Sequence, residues 1–167
     1  MSRSASRPAD RPLAVVDVDG VLADVRHRLH HVTGRPKDWP AFFAGADDDP
    51  LLAVGADAVH RLAAVCDVVY LSGRPERLRE VTEDWLRRHD LPSGALLLRP
   101  DRDARPARVY KIQVLERLAE ERTVAVLVDD DPRVTEAARL AGFDVLPATW
   151  MGDQPDLSTV QERDGRT

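Results

Sequence analysis

The stretch LAVVDVDGVLADV, Leu13 to Val25, decides how the chain is read. An apolar run suited to a buried strand ends in two carboxylates one residue apart, Asp17 and Asp19. Like charges that close repel each other and disfavour ionisation. A fold does not require the pair, so a positively charged visitor is expected there.

The surroundings bound what that visitor is. At 167 residues the chain is expected to form one domain with a real core. With 43% hydrophobic and 32% charged residues it reads as a globular protein in water. No apolar run approaches the ~20 residues that cross a bilayer. The opening MSRSASRPADRP has no apolar core of a secretory signal, and residues 1–12 are expected to be a flexible arm. One cysteine, Cys66, excludes an internal disulfide and, with no leader in view, points to the cytoplasm. The net charge of -5 gives no overall attraction to nucleic acid or to an anionic membrane. Only Lys37 and Lys111 are lysines among many arginines, so each invites a reason.

Beyond the opening stretch, short apolar runs alternate with amphipathic ones. Leu13 to Val18 reads as a strand, and VGADAVHRLAAV as a helix with Val54, Ala58, Leu62 and Val65 on its inner face. DVVYLSGR is a second strand ending at Leu71. PERLREVTEDWLRRHD is a helix facing inward through Leu78, Val81, Trp85 and Leu86. GALLLRP, TVAVLVDDD and FDVLPA are three further strands, separated by the helices ARVYKIQVLERLAEER and PRVTEAARLAG. This rhythm predicts an α/β fold, a doubly wound, mostly parallel five-stranded sheet, over residues 13–150. Two pieces fall outside it. Residues 24–50 form a small His/Arg/aromatic insertion after strand one, and residues 151–167 a polar tail expected to be mobile.

Ligands of an open parallel sheet sit beyond the carboxyl ends of its strands. Asp17 and Asp19 follow strand one, Ser72, Gly73 and Arg74 follow strand two, and Asp129, Asp130 and Asp131 follow strand four. Lys111 lies early in the helix before strand four. Such an anionic cup suits Mg2+, which takes one or two carboxylates and keeps room for a phosphate. An aspartate beside phosphorus can be a nucleophile, and a second carboxylate can protonate the leaving oxygen and then deprotonate water.

In order, DVDGVLAD, LSGR, a lone lysine and VLVDDD resemble the four motifs of the haloacid-dehalogenase superfamily of phosphohydrolases. The resemblance covers about Leu13 to Pro147 and implies a Rossmann-like sheet with no large cap. It implies that Asp17 is the nucleophile and Asp19 the general acid/base. Asp17, the backbone carbonyl of Asp19 and Asp130 would hold Mg2+ with Asp129 in support, and Ser72 and Lys111 would bind the phosphoryl group. Asp131, before Pro132, suits a helix cap. LSGRPERLREVTEDWLRRHDLP, LLLRPDRDARPARVYK and VLVDDDPRVTEAARLAGFDVLPA also look like the phosphatase domain of polynucleotide kinase-phosphatases. That resemblance implies a polynucleotide or nucleotide 3'-phosphatase with Arg74 engaging substrate. The chain lacks the GxxxxGK[ST] loop of the kinase half, and its insertion VRHRLHHVTGRPKDWPAFF is its own.

Other readings compete. A small-molecule phosphatase of the same superfamily is the alternative for substrate. A phosphoaccepting receiver domain uses similar groups, but with the acidic pair first and the lone acceptor aspartate after it. A catalytically silent binding module would keep the fold without turnover. Arg26, His27, His30 and Arg99 are candidate substrate contacts. His27, His30 and His31 lack the cysteine or paired-carboxylate company of a zinc site. Trp39, Phe42 and Phe43 suit base stacking or, more often, a small core that pins the insertion. Arg99, Arg102, Arg105 and Arg108 suit a phosphodiester-tracking edge or a solvated loop. Cys66 reads as a small buried apolar residue. The expected partners are a phosphorylated substrate, nucleic acid 3' ends or nucleotides among them, and no membrane.

Overall fold

A computed structural model describes residues 11–152 and 155–164. Of the flexible arm expected over residues 1–12, residues 1–10 lie outside the described residues. Arg11 is fastened: its guanidinium donates to the carbonyls of Ala63 and Cys66 at 2.8 and 2.9 Å.

β1 (Leu13–Val16) is buried along its whole length, as a central parallel strand requires. It lies between β2 (Asp67–Pro75) and β4 (Val124–Asp129), with β3 (Gly94–Arg99) and β5 (Val145–Pro147) at the edges. The order is β3-β2-β1-β4-β5 and every pairing is parallel. This is the five-stranded α/β sheet the alternation predicts. Residues alternate across it. Val16, Tyr70, Leu96 and Val128 face a core with Trp85 and Leu86, while Val15, Val69, Leu71 and Leu127 face Tyr110, Val114, Leu115 and Val134.

The helices on the first face are α3 (Ala53–Ala63) and α4 (Arg79–Arg88); those on the second are α5 (Ala107–Glu121) and α6 (Pro132–Leu140). Asp131 caps α6, its carboxylate accepting from Arg133 N at 2.9 Å with Pro132 following. The inner face of α3 differs from the periodic reading. Gly55, Ala56, Ala58 and Val59 are buried, whereas Val54 and Val65 are 53% and 67% exposed. Gly55 is the cause. A Cβ there would stand 1.8 Å from the Val21 carbonyl, so the helix presses its small residues onto that backbone. On α4, Thr82 joins Trp85 and Leu86 inside, while Val81 is only half-buried.

The insertion folds as α1 (His30–Thr33) and α2 (Trp39–Ala44), flanked by 3-10 turns at Arg26–Arg28 and Gly45–Asp48. Its apolar residues, Val25, Leu29, Val32, Phe42 and Phe43, make a small core of their own. Trp39, Phe42 and Phe43 contact one another there, with ring centroids 5.4 to 5.7 Å apart. The expectation of a mobile tail is corrected over much of its length: α7 (Pro155–Asp164) is a helix, and Leu157 and Val160 are buried in the core of the insertion. Two apolar residues three apart supply that anchor, too few to stand out in a polar stretch. No helix among the described residues is long and apolar enough to cross a membrane.

Candidate active site

The carboxyl edge of the sheet gathers the predicted residues. β1 ends at Val16, two residues earlier than read, and Asp17 N still reaches across to Val128 O at 2.9 Å. The chain then turns back on itself. Leu22 N and Ala23 N both donate to Val18 O at 2.9 Å, and Gly20 takes a φ of 78°. Only glycine suits Gly20 on two counts: the left-handed backbone, and the Asp130 carboxylate, which would lie 2.1 Å from any Cβ. The loop after β1 therefore folds directly against the acids after β4.

Asp17, Asp129 and Asp130 each bring an oxygen within 4.8 Å of the others. Lys111 Nζ, from the second turn of α5, stands 2.7 Å from both Asp17 Oδ2 and Asp129 Oδ2, and all three residues are buried. Burial, with Asp129 and Asp19 nearby, pushes the Asp17 carboxyl up to about 7 against the pull of Lys111. Burial and the neighbouring Asp129 and Asp17 raise Asp130 as well, and its Oδ1 is buried without a hydrogen-bond partner. The paired carboxylates hold the Lys111 ammonium charged in spite of its burial. Three converging carboxylates, two of them driven toward the neutral form, fit a hard divalent cation that would relieve both.

Asp19 is held differently. Burial would raise its carboxyl, but Arg74 and Arg28 outweigh it and hold Asp19 below the ordinary carboxylate range. Arg74 donates to Asp19 Oδ1 through Nε and Nη2 at 2.9 and 2.6 Å, and Arg28 Nη2 reaches the same oxygen at 3.2 Å. Asp19 Oδ2 is buried and unpartnered. Asp49 clamps both arginines from behind, taking Arg28 at 2.7 Å on each oxygen and Arg74 at 2.8 Å. His27 Nε2 lies 2.7 Å from Asp49 Oδ1, and Trp85 Nε1 donates to Asp49 O at 2.9 Å.

β2 runs past Leu71 to Pro75, where the earlier boundary is extended, with an irregularity in its pairing to β3 between Ser72 and Pro75. That irregularity presents Ser72, Gly73 and Arg74 at the rim. Ser72 Oγ accepts from Arg74 N at 3.2 Å, a local turn that leaves its own proton free to donate. Arg99 is 1% exposed at the end of β3, packed 4.6 Å from the Tyr110 ring centroid. Its Nη1 donates to Arg105 O at 2.7 Å, while Nε and Nη2 have no partner. It lines a shallow cleft together with Gly73, Phe43, Arg77 and the carboxylates Asp101 and Asp103.

The other candidate contacts scatter. Arg26 is exposed and ion-paired with Asp24, and His30 is exposed beside His31. Arg105 pairs with Asp103, which also lies 3.6 Å from Arg99 Nη1, and Arg108 pairs with Glu162, so each of these arginines is matched to a nearby carboxylate. Among the described residues, the histidines form no metal-ligating group.

Arg28 and Asp49 are the functional-site residues that sequence reasoning missed. A signal for Arg28 existed: Val25, Arg28, Leu29 and Val32 share helical spacing, which puts an arginine on an apolar stripe. Asp49 is one of three consecutive aspartates, and nothing local separates it from Asp47 and Asp48.

Among solved structures, the chain is similar to one in the Pnkp1/Rnl/Hen1 RNA repair complex, with 24% identity and a TM-score of 0.67. The match covers 88% of this chain and 46% of that one, so the chain spans a little under half the length of its relative. A haloacid dehalogenase-like hydrolase from Streptococcus pneumoniae matches at 14% identity and TM-score 0.54, covering 93% of each chain. A haloacid-dehalogenase family enzyme from Bacteroides thetaiotaomicron, in complex with magnesium and inorganic phosphate, matches at 12% and 0.51, covering 88% of this chain and 98% of that one. At these identities the likeness is one of fold. Comparison with the curated proteins finds no match. The family model of the polynucleotide kinase PNKP phosphatase domain matches residues 12–149. A parallel sheet with its acids, lysine and serine at one edge, and a family match over nearly the whole of that sheet, place the chain in the PNKP phosphatase-domain family of haloacid-dehalogenase phosphatases.

Proposed function

We propose that the protein is an Mg2+-dependent phosphomonoesterase that removes the 3'-phosphate from a nucleic acid end or a nucleotide through an aspartyl-phosphate. In this reading an oxygen of Asp17 attacks phosphorus while the ester P–O bond breaks, and Lys111 and Ser72 hold the phosphoryl oxygens. Asp19 gives its proton to the departing hydroxyl from Oδ2, the oxygen its arginines leave free. It then takes a proton from water, which attacks the phosphorus, releasing inorganic phosphate and restoring the Asp17 carboxylate. Arg74 and Arg28 favour the ionised form that the second step needs and oppose the protonated form of the first. The proton is therefore taken up on Oδ2 only with the anionic phosphate ester beside it, whose charge raises the carboxyl. Asp17, Asp130 and the carbonyl of Asp19 would hold Mg2+, with Asp129 in support; bound there it supplies charge neutralisation for the phosphoryl group.

The observation that carries the substrate reading is Arg99. A buried guanidinium with two unpartnered nitrogens, in a cleft bounded by Gly73, suits a second anion beyond the reacting phosphate. An oligonucleotide offers one; a simple sugar phosphate does not. Partners of the RNA-repair kind seen with Pnkp1 belong to the same proposal, as does a cytoplasmic location.

Phosphate release from 3'-phosphorylated oligonucleotides, 3'-mononucleotides and sugar phosphates tests this. The oligonucleotide is expected to give the highest kcat/KM, and Arg99→Ala to raise its KM tenfold or so while sparing a mononucleotide. Preference for a sugar phosphate with indifference to Arg99→Ala points to the small-molecule alternative. Asp17→Asn is expected to abolish turnover and leave the circular dichroism spectrum unchanged; retained turnover refutes the nucleophile.

A further inference from the structure

Asp19 is aimed by groups that are themselves held from a distance. Its Oδ1 takes Arg28 Nη2 at 3.2 Å, beside the two bonds from Arg74. The Arg28 guanidinium is buried, with its central carbon 4.2 Å from the centroid of the Phe42 ring, and its Nη1 donates to Phe42 O at 3.3 Å. A guanidinium over an aromatic face is attracted to it, the more so when both are out of water. Phe42 is thus the surface on which the Arg28 fork rests, while Asp49 fixes its other edge.

Phe42 lies on α2, which is six residues long, and α1 beside it has four. Helices that short do not sustain themselves in water, so packing has to hold them. Part of that packing comes from the far end of the sequence. Leu157 and Val160 of α7 are buried in the same core as Phe42 and Phe43, and α7 packs against both α1 and α5. Glu162 Oε1 accepts from Arg108 Nε of α5 at 3.0 Å. That ion pair is partly exposed and adds little alone, so the two apolar side chains carry the attachment. The family match stops at residue 149, and α7 lies beyond it.

We propose that α7 is a brace for the acid/base of the site, with Leu157 and Val160 as positioning residues that act through Phe42 and Arg28 on Asp19. The proposal rests on the reading of Asp19 as the proton donor of a phosphatase. In this role α7 need not approach the reacting groups. A displacement of about 1 Å in a group that must line up with a departing oxygen is enough to slow a reaction about a hundredfold.

A misplaced acid shows itself in the leaving group. p-Nitrophenolate departs without a proton, whereas the 3' hydroxyl of a nucleotide needs one. kcat/KM follows the reaction only as far as that departure, so the later work of Asp19 as a base does not enter it. The full chain is compared with Leu157→Ala combined with Val160→Ala, with Phe42→Leu, and with Leu13→Ala, which lies in the core on the other face of the sheet. The α7 and Phe42 variants are expected to lose about tenfold in kcat/KM on a 3'-phosphorylated oligonucleotide at unchanged KM, and to stay within about twofold on p-nitrophenyl phosphate. Leu13→Ala is expected to keep the parent's ratio between the two substrates. Equal losses on both substrates in the α7 variant, or no loss on either, overturn the brace. If the double variant does not fold, Val160→Ala is judged by the same ratio. A second readout needs no turnover: the Arg28 Nε–H donated to Asp49, followed by NMR, is expected to exchange with water faster in the α7 variant than in the parent, and unchanged exchange overturns the brace. Absence of turnover of both substrates by the parent sinks the phosphatase reading instead, and the Arg28 proton still judges the brace.

Discussion

Asp17 shows how burial and crowded charge act on a single side chain. Its carboxyl is pushed up to about 7 by burial first and by Asp129 and Asp19 besides. The unfolded value is about 3.9, so this group weakens the fold progressively as pH rises from about 4 to about 7, and fully above that. A cation among Asp17, Asp129 and Asp130 reverses the sign, because it favours the ionised form. Mg2+ binding near neutral pH is therefore expected to release a proton and to tighten as pH rises through about 7. Calorimetry in two buffers of different ionisation enthalpy measures the release, and a heat independent of buffer contradicts it. Residues of this kind were legible in the chain. Asp17, Asp19 and the acids after the fourth strand stand at strand ends without a folding reason, and Lys111 is one of two lysines. Arg28 was harder to read: its spacing with Val25, Leu29 and Val32 marks it as inward-facing, but among Arg26, His27 and His30 nothing local names Asp19 and Asp49 as its partners.

Among elements, the insertion matters more than its length suggests. Through Arg28 and Asp49 it reaches under the site and meets Arg74 of β2, so that a segment outside the sheet fixes the orientation of Asp19. Asp49→Ala strips two buried guanidiniums of a shared carboxylate, and removing one partner of a buried ion pair costs about 3–5 kcal/mol. Chemical denaturation is expected to show a loss of that order; a loss under about 1 kcal/mol means the arginines are balanced by Asp19 alone. Element type was readable from the apolar rhythm, whereas two details were not. The inner face of α3 follows the close approach of Gly55 to Val21, and the far end of β2 follows its irregular pairing with β3. Both are set by partners distant in sequence, which a local period does not contain.

At the scale of the molecule, two cores on opposite faces of the sheet carry the fold, and a third ties α7 to the insertion. Leu13, buried in the core on the α5–α6 face, sits at the amino end of β1, the opposite end of the strand from Asp17, so Leu13→Ala tests packing without touching the reacting groups. A loss of about 2–5 kcal/mol with an unchanged denaturant slope is expected in urea; a smaller loss means that face collapses around the cavity. The doubly wound architecture was legible because strands and helices alternate throughout. The third core was not, because Leu157 and Val160 are separated from the insertion by most of the chain. One consequence concerns the opposite rim. There Arg11 and Arg122 both hold Asp67, the length of β1 away from Asp17, and Ser93 is exposed beside them. A fluorophore or a solid support coupled through Ser93→Cys would grip the molecule by its heel and leave the working end facing solution, which makes single-molecule observation of turnover practicable.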